Sequence, residues 1–340
     1  MKTFHAASSI ALAALVAVGA AASLRAQQPN AAPPALELLP VQGNVYMLAG
    51  AGGNITLMTG KEGVLMVDTG LAASAARVTA EIRKLNSGPI RWVINTHFHP
   101  DHVGGNEAIA ALPADPLQPL RIVAHENVLN RMTTPTAVAQ GPDVVRGLPV
   151  DEYFTPIKDI HFNGEAIVLY HEAKAHTDGD SVVLFRGSDV VSTGDIFTPD
   201  GYPFIDLDNG GSVQGEIAAL NHILDLTVPA KTQEGGTYVI PGHGRICDEA
   251  DVVEFRDMVV IVRDRIRDAI NKKMTLEQVK AARLTRDYDP QYVTPTSFVT
   301  TDRFVEALYK DLSQAAAAKP AAAPAKPGTG NRAPAPAGKK

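Results

Sequence analysis

The stretch Trp92-Val93-Ile94-Asn95-Thr96-His97-Phe98-His99-Pro100-Asp101-His102 decides how this chain is read. An apolar, strand-like run from Ile90 to Asn95 empties into four side chains able to bind a metal, and the ends of strands are where a rigid scaffold presents functional groups. With 10 histidines in 340 residues, three of them in these fixed slots arise by chance at only about three starting points in 100,000. Neutral imidazole nitrogens suit zinc, and residues two apart in an extended chain face the same side, so His97 and His99 can share one ion. Asp101 and His102 then face a second.

Outward from this stretch, short β-rich runs precede it: Val45 to Leu48, Ile55 to Met58 and Val64 to Val67, separated by glycine-bearing turns, which predicts an antiparallel meander. After Gly70 the period changes. Leu71, Ala75, Val78, Ile82 and Leu85 recur at helical spacing, and Gly88-Pro89 ends the helix. A second series of strand-like runs follows at Ile157 to Phe162, Ala166 to Tyr170, Val182 to Phe185 and Val190 to Ser192. Next come a helix striped by Val213, Ile217, Leu220 and Leu224, a short strand at Tyr238 to Ile240, and a long amphipathic helix carrying Phe255, Val259, Val262, Ile266 and Ala269 on one side. Meander and helix, then meander and helix, predict an α/β protein with two packed sheets and helices on both outer faces, a four-layer αββα sandwich.

The chain is 45% apolar and 20% charged, the balance of an ordinary globular protein. Residues 1–26 read as a secretory signal: Lys2 supplies the positive start, an apolar run covers Ile10 to Ala22, and cleavage is expected after Ala26, with Ala22 as the alternative. That run is shorter than the roughly 20 residues that span a bilayer. No cysteine lies nearby to carry a lipid, so a secreted or periplasmic protein without a membrane anchor after cleavage is expected. Residues 27–314 are then the folded domain. From Ala315 the sequence is almost entirely Ala, Pro, Lys and Gly and is expected to be a disordered tail over 315–340.

Cys247 is the only cysteine, which excludes an intramolecular disulfide. The net charge of −6 hides a division, because the leader and tail hold seven cations and no acid; the body between them carries −13. Such a body disfavours nucleic acid as a partner, since phosphate binding needs a basic surface. A small-molecule substrate is the expected partner, and the oligomeric state is left open.

Three further pieces accompany the opening motif, each following or ending a strand-like run: His176 in His-Thr-Asp-Gly-Asp, Asp195 in Ser-Thr-Gly-Asp-Ile-Phe, and His243 in Pro-Gly-His-Gly. With Asp68 in Val-Asp-Thr-Gly, these pieces, over roughly residues 36 to 250, resemble the metallo-β-lactamase superfamily, whose fold is an αββα sandwich with a metal site at one edge of its sheets. The resemblance implies His97, His99 and His176 as ligands of one zinc, and Asp101, His102 and His243 as ligands of another. It implies Asp195 as the carboxylate bridging both, as in glyoxalase II-like members, and Asp68 as a carboxylate supporting the ligands from behind. Two zinc ions per chain are therefore expected, with iron or a mixed pair as the variant, and Asp101 is also expected to orient the attacking water and handle its proton.

The expected reaction is addition of water to a carbonyl of the lactone, ester, thioester or β-lactam class. Asp195 points towards thioester, lactone and ester hydrolases, whereas export points towards antibiotics and lactone signals. Two other classes stay open at this point: a mononuclear iron enzyme of the persulfide dioxygenase kind, and a metal-holding accessory protein without catalysis. The loops Gly50 to Asn54 and Phe197 to Gly211 offer Asn54, Tyr202, Phe204 and Asn209 as substrate contacts. His5 leaves with the leader, His222 is expected to face solvent, and His125, His161 and His171 are expected to stay off the metals; Cys247 is expected in the core.

Overall fold

The computed structural model describes residues 34–114, 116–134, 143–233 and 235–318. The expected leader and residues 27–33 therefore lie outside the described residues, as does the chain from 319 onward. Seven strands form one sheet in chain order: β1 Glu37–Gln42, β2 Val45–Ala49, β3 Ile55–Gly60, β4 Gly63–Val67, β5 Ile90–Ile94, β6 Arg121–His125 and β7 Asp151–Tyr153. Five form the second, ordered β12-β11-β10-β9-β8, from β8 Ile157–Phe162, β9 Glu165–Glu172, β10 Asp180–Phe185, β11 Val190–Ser192 and β12 Tyr238–Ile240.

The side-chain period of two sorts these strands between layers. Leu65 and Val67 point into the space between the sheets and meet Phe162, Leu169, Val183 and Phe185. Val64 and Met66, one residue out of step, face the opposite way and pack with Val78 and Ile82 of helix α1, Ala75–Leu85. Short helices α2 Pro100–Val103, α3 Asn106–Ala110, α4 Glu126–Met132 and α5 Asp143–Arg146 complete the first half. The other face of the second sheet is covered by α6 Val213–Leu226, α7 Glu249–Asn271 and α10 Thr301–Ala318, whose Ile217, Phe255, Val259 and Leu308 are buried with Val182 and Val191. Helices α8 Leu276–Ala281 and α9 Asp289–Tyr292 lie between α7 and α10 in the chain. The molecule is the αββα sandwich.

The strands β2 to β4 form the expected antiparallel meander, but β4, β5, β6 and β7 pair in parallel, as do β11 and β12. Parallel strands carry their C-terminal ends, and the loops that follow, to one side of the sheet. The last helix runs to Ala318, four residues past the expected tail boundary; its final Ala315 to Ala318 are the best helix formers and simply extend it. No helix among the described residues is long and apolar enough to cross a membrane.

Candidate metal centre

β5 delivers the opening motif. Residues 95–99 leave the strand end, His99 is extended (φ −64°, ψ 145°) and serves as the N-cap of α2, and Pro100 occupies the first helical turn, where its missing N–H costs nothing. Asp101 and His102 therefore lie on the helix and not on the extended segment. Asp195 sits in a single 3₁₀ turn after β11, and Gly242 and His243 follow β12.

All seven expected ligands come together in two groups. His97, His99, His176 and Asp195 form one, Asp101, His102 and His243 the other, and within each the ligand atoms lie within 4.8 Å of one another. Asp195 spans both: Oδ2 is 3.9 Å from the Nε2 atoms of His97 and His176, while Oδ1 is 3.1 Å from His102 Nε2 and 3.5 Å from His243 Nε2. Two glycines make room. A Cβ on Gly53 would strike the His102 ring, and one on Gly242 would strike Asp195 Oδ1.

The rings are aimed from behind. His102 Nδ1 meets Asp68 Oδ2 at 2.8 Å, and Asp68 also accepts from the Thr96 backbone N–H (2.8 Å) and hydroxyl (2.7 Å). Asp68 holds a left-handed φ of 63°, unusual for a non-glycine residue, to do so. His97 Nδ1 meets the Thr96 hydroxyl at 3.0 Å, His176 Nδ1 donates to the Phe204 carbonyl, and His99 Nε2 meets Asp206 Oδ2 at 3.0 Å.

These partners assign the tautomers. With Nδ1–H of His176 given to Phe204 and Nε2–H of His99 given to Asp206, the nitrogens left over, His176 Nε2 and His99 Nδ1, face each other as lone pairs 3.0 Å apart. His102 Nε2 and His243 Nε2 approach to 3.4 Å. The buried His97 Nε2 and Asp195 Oδ1 have no hydrogen-bond partner. Facing lone pairs and orphaned buried acceptors are costly unless a cation lies between them, so the donor set fits divalent metal.

The electrostatics agree. Burial, with His102 next, lowers the His97 imidazole well below its usual range and keeps it in the neutral, ligating form. Burial acts to lower His102 as well, but the charges of Asp195 and Asp68 raise it well above. Burial alone would raise the Asp195 carboxyl; the charge of His102 beside it holds it well below the carboxylate range. For His243, burial is outweighed by the carboxylates of Asp101 and Asp195 beside it, and the ring is raised to about 9.

The four expected substrate contacts divide. Phe204 lines the cavity beside the centre, its ring 5.8 Å from that of His99. Tyr202 also lines it, but the ring stacks on Phe304 at 4.5 Å in the core and the hydroxyl donates to Asp289 at 3.0 Å, so its polar end is turned away. Asn54 is not part of the cavity wall; its amide donates to the carbonyls of Pro241 and Gly244, 3.0 Å each, and so holds the His243 loop. Asn209 is not part of the wall either: its amide donates to Asp206 at 2.7 Å and its carbonyl accepts from Arg131 at 3.1 Å. Both amides are engaged in holding neighbouring loop residues.

Asp206 had no signal of its own, because a lone aspartate in a loop reads as a turn former. Its carboxyl, which burial would raise, is lowered by the bond to His99. His222 does not face solvent alone but bonds to Glu172, while His125 and His171 stack at 3.4 Å, apart from the two ligand groups. Cys247 is buried beside β12.

Comparison with known proteins adds a common theme. The family model described as metallo-beta-lactamase superfamily matches residues 48–243, more than half of the chain. A linear primary-alkylsulfatase of Pseudomonas sp. (strain ATCC 19151) is 39% identical over 74 residues, which span 22% of this chain and 14% of that protein. A stereoselective inverting sec-alkylsulfatase from Pseudomonas sp. superposes with a TM-score of 0.62 at 16% identity, covering 81% of this chain and 50% of its own. A metallo-beta-lactamase from Pontibacter korlensis superposes at 0.51 with 17% identity, covering 66% of this chain and 99% of its own. At these identities the superpositions speak for the fold.

Proposed function

The chain belongs to the metallo-β-lactamase superfamily, and within it we propose an exported hydrolase that holds two zinc ions and adds water to the carbonyl of a small molecule of the lactone, ester, thioester or β-lactam class. One observation carries the reading: imidazole lone pairs face each other at 3.0 Å, their rings each fixed from the far nitrogen. His97, His99 and His176 would hold one ion, Asp101, His102 and His243 the other, and Asp195 both. Bound there, the pair would supply the charge that acidifies water and polarises a carbonyl.

The chain's own groups do the rest. Asp101, a third exposed at the cavity and 3.3 Å from His243, orients the water and passes its proton to the leaving atom, a role worth about 10² to 10⁴ in rate. Asp68, Thr96, Asp206 and the Phe204 carbonyl keep the rings from turning. No serine or cysteine nucleophile is required.

A second reading, hydrolysis of an alkyl sulfate ester, draws on the local identity to the alkylsulfatase. Against it, no lysine or arginine among the described residues lines the cavity to hold a sulfate. The mononuclear iron alternative leaves the second group, Asp101, His102 and His243, without a purpose. The test is a panel of ester, lactone, thioester, β-lactam and alkyl sulfate substrates with the zinc-loaded protein. Turnover lost on chelation and in His99→Ala supports the proposal; turnover unchanged in His99→Ala refutes it.

A further inference from the structure

The cavity over the two groups has a volume of about 650 Å³, enough for a drug-sized molecule. One side is the metal centre. The other is apolar: Pro100, the Tyr202 ring, Phe204, Phe298 and Val299. Phe298 and Val299 come from the segment just before α10, well beyond residue 243 where the family match ends. Phe298 is 63% exposed yet held in place: its ring meets Phe204 edge-on at 5.3 Å, and Arg303 lies over it at 4.5 Å while donating to its carbonyl at 2.7 Å. A large aromatic fixed in the open at a cavity wall is available to pack against a bound molecule.

The wall's charge is one-sided. Among the described residues no lysine or arginine lines the cavity, whereas Asp101, Asp195 and Asp200 do. A substrate carboxylate or sulfate would find no guanidinium or ammonium among these lining residues to pair with. Arg303 is occupied with the Phe298 ring and carbonyl, Arg245 pairs with Asp251, and neither is part of the wall.

We propose that the substrate is an uncharged ester or lactone whose acyl or alkyl part is apolar and seats against Phe204, Phe298 and Val299. This rests on the hydrolase reading and narrows it, setting aside substrates recognised through a carboxylate or sulfate. The oxygen of water bonds to the carbonyl carbon, the bond from that carbon to the ester oxygen breaks, and the proton goes to the departing oxygen through Asp101. Water is the sole co-reactant.

The zinc-loaded enzyme is assayed with p-nitrophenyl acetate, octanoate and monosuccinate, with His99→Ala as background. The expected result is a kcat/KM about tenfold or more higher for octanoate than for acetate, since each buried methylene favours binding, and lowest for monosuccinate. Phe298→Ala, a change at an exposed position, should cut the octanoate-to-acetate ratio several-fold, with Phe298→Leu restoring part of it. A preference for monosuccinate that Arg303→Ala removes would overturn the inference by making Arg303 an anion site, and equal rates on all three would overturn it too. Turnover of none of the three, nor of any lactone, would instead bring down the hydrolase reading beneath it.

Discussion

His99 Nε2 and Asp206 Oδ2 lie 3.0 Å apart, and this contact fixes which nitrogen of His99 faces the metal centre. Asp206 is itself bound by the Asn209 amide at 2.7 Å, and Asn209 by Arg131 at 3.1 Å, so a line of polar contacts runs from α4 to the ligand. Asp206→Asn is expected to weaken zinc binding about 10- to 100-fold, measured by competition with a chromophoric chelator. Arg131→Ala should weaken it less. Wild-type affinity in Asp206→Asn would show that the contact does not aim the ring.

Gly53 packs against the His102 ring so closely that a Cβ has no room, while its own φ is not positive and alanine fits the backbone. Gly53→Ala should therefore keep the fold, checked by circular dichroism, and displace His102. The expected outcome is loss of roughly one of two zinc equivalents by elemental analysis, because only one ligand group is disturbed. Full zinc content in this variant would contradict the assignment of His102.

Glu216, in the first turn of α6, is fully buried, and neither carboxylate oxygen has a hydrogen-bond partner. Burial, reinforced by the charges of Asp180 and Asp195, raises its carboxyl well above the usual range. The sign follows from linkage: above about pH 4.5 the unfolded chain gives up this proton while the folded chain keeps it, so stability falls as pH rises, levelling only above the raised folded value. Glu216→Met removes the penalty. Thermal melts should show an advantage of the variant that grows with pH from about 4.5 upward; parallel curves would contradict it.

Much of the fold was legible because it is written locally. The α1 face follows from its helical period, and the Val190–Ser192 strand from a short β-rich run. The strands β1, β6 and β7 were not read: β1 is half-exposed with Pro40 within it, β6 is five residues, Arg121–His125, running straight into α4, and β7 is Asp151–Tyr153, with two acids in three residues. Nor does a local pattern state which strands become neighbours, so the parallel pairing of β4 with β5 appears only in the fold.

The metal centre was legible for a different reason. Four of its ligands sit within six residues of one another, and each of the rest follows a strand by three or four residues. What holds those ligands was hidden. Asp206, Thr96 and the Phe204 carbonyl carry no motif, and a carbonyl carries no side-chain identity at all. Tyr202 looked like a loop residue free to meet substrate, yet its ring is claimed by Tyr292 and Phe304, contributed by helices far along the chain. The Phe298 wall likewise comes from a segment with no sequence signal.

The central claim is that two cations occupy the space between these seven side chains, and metal content measures it directly. Protein stripped with chelator, reloaded with excess zinc and desalted is expected to retain about two zinc ions per chain, and about one in the Asp101→Ala, His102→Ala double variant. Retention of one ion or none by the unaltered chain, with its fold intact, would contradict the account.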